Sequence, residues 1–93
     1  MFDKMNEFME MKKQADRIKR ELDASTVEVN EVSGVKIVVS GSQNFRSLEI
    51  DEAMLKAGDK GRLEADILRS VNAAIRRSQN LAAQKTKAVM PGF

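Results

Sequence analysis

The chain has no cysteine and no histidine among its 93 residues. Their absence removes disulfides, thiolate nucleophiles, histidine general bases and the usual zinc ligands together. Most enzyme chemistry goes with them. Proline occurs once, as Pro91, and neither glycine nor proline interrupts the stretch from Asp3 to Asp23. Long apolar runs are missing too. The N-terminus reads MFDKMNEFMEMKK, where Asp3, Glu7 and Glu10 break the hydrophobic sequence, so it is neither a signal peptide nor a membrane span. A cytoplasmic protein with no membrane partner is expected. No glycine-rich strand-to-helix loop exists, and Gly34 and Gly41 read as turn residues rather than as a phosphate cradle. Glu49 and Asp51 share one side of a strand, as paired carboxylates would. Without histidine or a second carboxylate cluster they form neither an acid/base pair nor a metal site. No cofactor and no enzymatic activity are expected.

A chain this short makes one domain, residues 1–93, and buries a modest fraction of its surface, so association with a second copy is expected. Net charge is only +2, but its distribution is uneven. Residues 1–24 carry six basic and six acidic groups, residues 25–52 two and five, and residues 53–93 eight and three. After Asp66 no side-chain carboxylate remains, while Arg69, Arg76, Arg77, Lys85 and Lys87 follow. A basic end beside an acidic middle points to a polyanionic partner.

Phe8, Met11, Ala15, Ile18 and Leu22 recur at helical spacing and predict an amphipathic helix over residues 3–24. At about 100° per residue, Lys13, Arg17 and Arg20 stand opposite that stripe, and Lys12 and Lys19 flank it. Two heptads are too few for a free-standing coiled coil, so the stripe needs another surface. From Ser25 the composition turns β-branched. Thr26 to Val32, Val35 to Ser40 and Phe45 to Ile50 predict three strands, joined at Ser33-Gly34 and at Gly41-Ser42-Gln43-Asn44 into an antiparallel meander. Val27 and Val29 share a face that Val32 leaves, which predicts a bulge near Asn30. Asp51 to Gly58 reads as a connection with one helical turn. Asp59 then caps a helix over residues 59–87, with Leu63, Ile67, Val71, Ala74, Ile75, Ser78 and Leu81 on one face and a short tail at 88–93. The fold class is α+β, in the order α-β-β-β-α.

The segment VKIVVSGSQNFRSLEIDEAML, Val35 to Leu55, carries the strongest local pattern. Val35, Lys36, Ile37, Val39 and Gly41, followed by Leu48, Glu49, Ile50 and Asp51, resemble the sheet segment of the YbaB/EbfC family of nucleoid-associated proteins. The Met-rich first helix, the Asn72-Ala73-Ala74 stretch leading into Arg76 and Arg77, and the final Pro91-Gly92-Phe93 agree with it. The pattern departs at Glu52, where the family often has proline. The resemblance implies a homodimer with helices projecting from an α/β core, binding duplex DNA with little sequence preference in an architectural or regulatory role at the nucleoid.

Phosphates are satisfied by Lys and Arg without base contacts. The expected DNA-contacting residues are Lys12, Lys13, Arg17, Lys19 and Arg20 on the first helix, with Arg76, Arg77, Lys85 and Lys87 on the last. A solvated helix face is the competing account of the first group. Yet five basic residues stand against one acidic residue between Lys12 and Arg20, an excess that local i,i+4 pairs such as Asp16 with Arg20 cannot neutralise. For Lys85 and Lys87 the competing account is the helix macrodipole, and for Arg76 and Arg77 a salt bridge between subunits. Phe2, Met5, Phe8, Met9 and Met11 form an oily cluster, read as helix core or dimer seam. Because Met-rich surfaces accept varied partners, the alternative function is a protein-interaction module docking on a recombination or replication protein.

Overall fold

The computed structural model describes residues 2–89. Six elements follow one another: α1 (Phe2–Ala24), β1 (Thr26–Val32), β2 (Val35–Ser40), β3 (Phe45–Ile50), α2 (Glu52–Lys56) and α3 (Lys60–Val89). The three strands form one antiparallel sheet in the order β1-β2-β3. The fold is therefore α+β, with the strands at the bounds that the β-branched runs predict. The expected irregularity is present as a register shift between Val29 and Val32. A second, between Val38 and Val39, lies opposite β3 and was not foreseen. The turn before β2 depends on Gly34, whose φ of +92° suits a residue without a Cβ. The last helix runs to Val89, past the expected end at Lys87. Pro91-Gly92-Phe93 falls outside the described residues.

Alternation along β1 and β2 turns Val29, Val35, Ile37 and Val39 to one face, where they meet Ala73 and Ala74 of α3. These six are at most 3% exposed and make up the core. Fully burying a valine or isoleucine side chain stabilises by about 1.5–3 kcal/mol. Two serines on the same face of α3, Ser70 and Ser78, are fully buried. Together with the alanines they give the helix a flat surface that lies close to the sheet. Neither hydroxyl is left unsatisfied, since Ser70 Oγ donates to the Asp66 carbonyl at 2.8 Å and Ser78 Oγ to the Ser40 carbonyl at 2.7 Å. The start of α3 is capped as expected, with the Arg62 amide donating to the Asp59 carboxylate at 3.1 Å.

A helix is about 10 Å across and neighbouring strands are about 4.8 Å apart. One helix therefore covers two strands, and α3 lies on β1 and β2. The third strand is left over. Phe45 and Leu48, although paired with the buried Val39 and Ile37, remain 48% and 51% exposed. A shallow apolar groove runs beside them, lined by Ile37, Phe45, Leu48 and Val71.

The molecule is long, 67 Å by 20 Å by 17 Å. At about 1.5 Å per residue, α3 spans about 45 Å and α1 about 34 Å. Their combined length exceeds the long axis by only about 12 Å, so they overlap for about two turns. The bridge from Lys85 Nζ to Glu21 Oε1, at 3.5 Å, marks that overlap. Beyond it α1 projects as an arm. Of the stripe predicted to need a partner surface, only Ile18 and Leu22 are half-buried, and Phe8, Met11 and Ala15 are exposed. The periodicity agrees with the packed side at Ile18 and Leu22, and within one chain α3 reaches only these last turns.

Candidate nucleic-acid interface

The arm begins where α1 meets the sheet. A helix end leaves its last carbonyls without intrahelical donors, and here two successive ones, those of Leu22 and Asp23, find donors in the body. The Glu21 carbonyl keeps its helical bond from the Ser25 amide at 3.0 Å and also accepts Ser25 Oγ at 2.7 Å, whereas the Leu22 carbonyl accepts the Gly41 amide at 3.0 Å. The Asp23 carbonyl accepts Arg46 Nη2 at 2.9 Å.

Outward from that end, Lys12, Lys13, Arg17, Lys19 and Arg20 are all exposed along about 12 Å of helix. Among the described residues, no carboxylate lies within ion-pair distance of any of them, and Asp16 does not pair with Arg20. The neighbouring α3 adds to the same region. Lys87, two residues beyond the Glu21 bridge in an antiparallel helix, stands about level with Lys19 and is exposed. Lys85 is half-buried and engaged by Glu21, so it ties the helices together and is not a free cation.

Arg76 and Arg77 are exposed but lie apart from this group, since about 14 Å of helix separates Arg76 from Lys85. They immediately precede Ser78 and so belong to the body. Lys4, which the residue spacing puts on the apolar stripe, is also exposed further out on α1.

The sheet face away from α3 has a different character. Lys36 sits between Glu49 at 3.2 Å and Glu28 at 3.7 Å. The hydrogen bond to Glu49, and after it the charges of Glu49 and Glu28, push the Lys36 ammonium above its ordinary pKa. Glu49 is thus one member of an exposed ion-pair row, not half of a carboxylate pair. A cleft beside α2 and the start of α3 contains Arg62 and Arg69, but Asp66 at 3.9 Å and Glu31 at 4.0 Å offset them. Among the described residues, no group of three or more Asp or Glu is placed to hold a metal ion, and no helix is long and apolar enough to cross a membrane.

The arrangement can present cations to an extended polyanion from a helix that stands clear of the body. The chain is similar to known proteins. A nucleoid-associated protein of Syntrophobacter fumaroxidans is 30% identical over 93 residues, covering 99% of this chain and 84% of its own. One of Moorella thermoacetica is 31% identical over 86 residues, covering 86% of this chain and 83% of its own. A sequence model of the YbaB/EbfC DNA-binding family matches residues 1–93, and the chain therefore belongs to that family.

Proposed function

We propose that this protein binds duplex DNA as a homodimer with little sequence specificity, and acts at the nucleoid by coating, bending or bridging DNA. The observation that carries the reading is the arm. Five basic side chains stand on one projecting helix, and none is neutralised by a carboxylate among the described residues. Lys12, Lys13, Arg17, Lys19 and Arg20 contact phosphates, with Lys87 beside them. Arg76 and Arg77 make a second, separate contact or a bridge to the other subunit. The ion-pair row on the open sheet face, two carboxylates about one ammonium, offers a phosphate backbone no free cation, which leaves DNA to the arms. Two arms require two copies. Support for the dimer comes from the groove at Phe45 and Leu48, where β3 presents apolar side chains and an unpaired strand edge, both of which a second copy buries.

The test is a gel-shift titration on an arbitrary duplex at two salt concentrations, with the solution mass measured alongside. If one dimer neutralises about six phosphates, affinity drops about a thousandfold between about 50 and 200 mM salt. Replacing Lys13, Arg17 and Arg20 by Ala leaves the dimer intact, weakens binding and lowers the salt slope. A folded triple mutant of unchanged affinity removes α1 from the interface.

One observation favours a second reading. Met5, Phe8, Met9 and Met11 are 55–71% exposed on the outer part of the arm, an apolar surface that phosphate contact does not use. A partner protein, such as one of recombination or replication, could dock there. That reading takes over if the wild-type protein fails to shift any duplex at low salt.

A further inference from the structure

Three segments distant in sequence converge on the turn after β2. The Gly41 amide donates to two carbonyls, Leu22 at 3.0 Å and Ser25 at 2.9 Å, and the neighbouring Ser40 carbonyl accepts Ser78 Oγ of α3. Gly41 is buried, and a Cβ there would lie 3.0 Å from Leu22 Cδ2 and 3.3 Å from the Leu22 oxygen. The glycine therefore serves close approach of the two backbones rather than an unusual turn. On the next residue of α1, Arg46 takes the Asp23 carbonyl. Successive carbonyls are about 100° apart around a helix axis, so holding Leu22 and Asp23 from two different points fixes both the tilt and the roll of α1.

We infer that Gly41 and Arg46 are positioning residues, forming a joint that sets the direction of the α1 arm and through it the placement of Lys13, Arg17 and Arg20 on DNA. The joint itself stands on geometry, and only its effect on binding rests on the proposed function. The leverage is large. A shift of about 0.4 Å across the last turn, about 5.4 Å of helix, tilts α1 by about 4° and moves its tip by more than about 2 Å. A loosened arm can still reach the same phosphates, but must be ordered each time it does so.

Because the chain has no native cysteine, spin labels can be placed at Gln14→Cys on the arm and Asn72→Cys on α3, with labelled protein diluted into unlabelled. The parent gives a narrow distance distribution. Arg46→Met, which keeps the length but removes the donor, broadens it, Arg46→Lys restores it in part, and Gly41→Ala shifts its centre. Duplex affinity of Arg46→Met falls about three- to tenfold, the cost of ordering a freed segment, with an unchanged salt slope. A slope lowered by about one, with distances unmoved, would identify Arg46 as a phosphate contact and overturn its positioning role. Distances unchanged in both Arg46→Met and Gly41→Ala overturn the joint, whatever DNA does. Broadened distances with unchanged affinity overturn its part in binding. If the parent itself fails to bind DNA, the proposed function fails, while the distance measurements still decide whether the joint exists.

Discussion

In the sheet and the first half of α3, side chains meet each other from both sides. Val29, Val35, Ile37 and Val39 close on Ala73 and Ala74, and the polar groups that enter this layer are hydrogen-bonded. The outer turns of α1 have the same kind of amphipathic pattern and none of the same burial, since no described side chain before Ile18 is even half-buried. An apolar stripe is thus satisfied in one region and left open in the other. The difference lies in what stands opposite each stripe, and it separates what folds the chain from what the chain can offer to partners. Stability resides in the body, and the arm is free to carry charge.

Substitutions in the two regions should therefore differ sharply. The largest effect is expected at Ile37, which is 2% exposed at the centre of the sheet. Ile37→Ala should destabilise by about 2–5 kcal/mol in denaturant unfolding, from lost transfer energy and the cavity left behind. A loss below about 1 kcal/mol would mean that the core does not bear on this residue. A smaller effect is expected at the border of body and arm. Ser78→Ala removes a buried donor from the Ser40 carbonyl, which keeps the Gln43 amide at 3.1 Å. A thermal-unfolding loss of about 0.5–1.5 kcal/mol is expected. The smallest effect belongs to the arm itself. Phe8→Ala combined with Met11→Ala should change monomer-level stability by less than about 0.5 kcal/mol, as for surface positions that touch little. If this pair instead costs as much as Ile37→Ala, the stripe is covered in solution and the comparison fails.

Most of the architecture was legible because it rests on local pattern. The strand bounds, the bulge after Val29, the helical turn at α2 and the Asp59 cap all follow from residue type and spacing. What was not legible depends on contacts between distant residues. Ser70 and Ala73 are buried because α3 lies close to the sheet, yet small side chains add little to a hydrophobic pattern. Leu48 and Ile50 alternate like core residues, and only the width of a helix against three strands explains the exposure of Leu48, while Phe45 joins its face through the register shift between Val38 and Val39. Lys85 read as one more cation until Glu21, 64 positions earlier, proved to hold it. Gly41 read as a turn residue, and nothing local signals its close approach to Leu22.

The fixed end of α1 also bears on how the arm comes to be helical at all. An isolated helix must form its first turn at a loss, and short ones are marginal in water for that reason. Here the turn from Glu21 to Ala24 is already held from outside the helix by Gly41 and Arg46. Nucleation is therefore supplied by the body, and each further turn outward is propagation alone, through a segment rich in Met, Lys, Arg and Glu, which favour it. The length of the arm then becomes a quantity that can change by whole turns, and with it the stretch of polyanion addressed, while the core that starts the helix stays as it is.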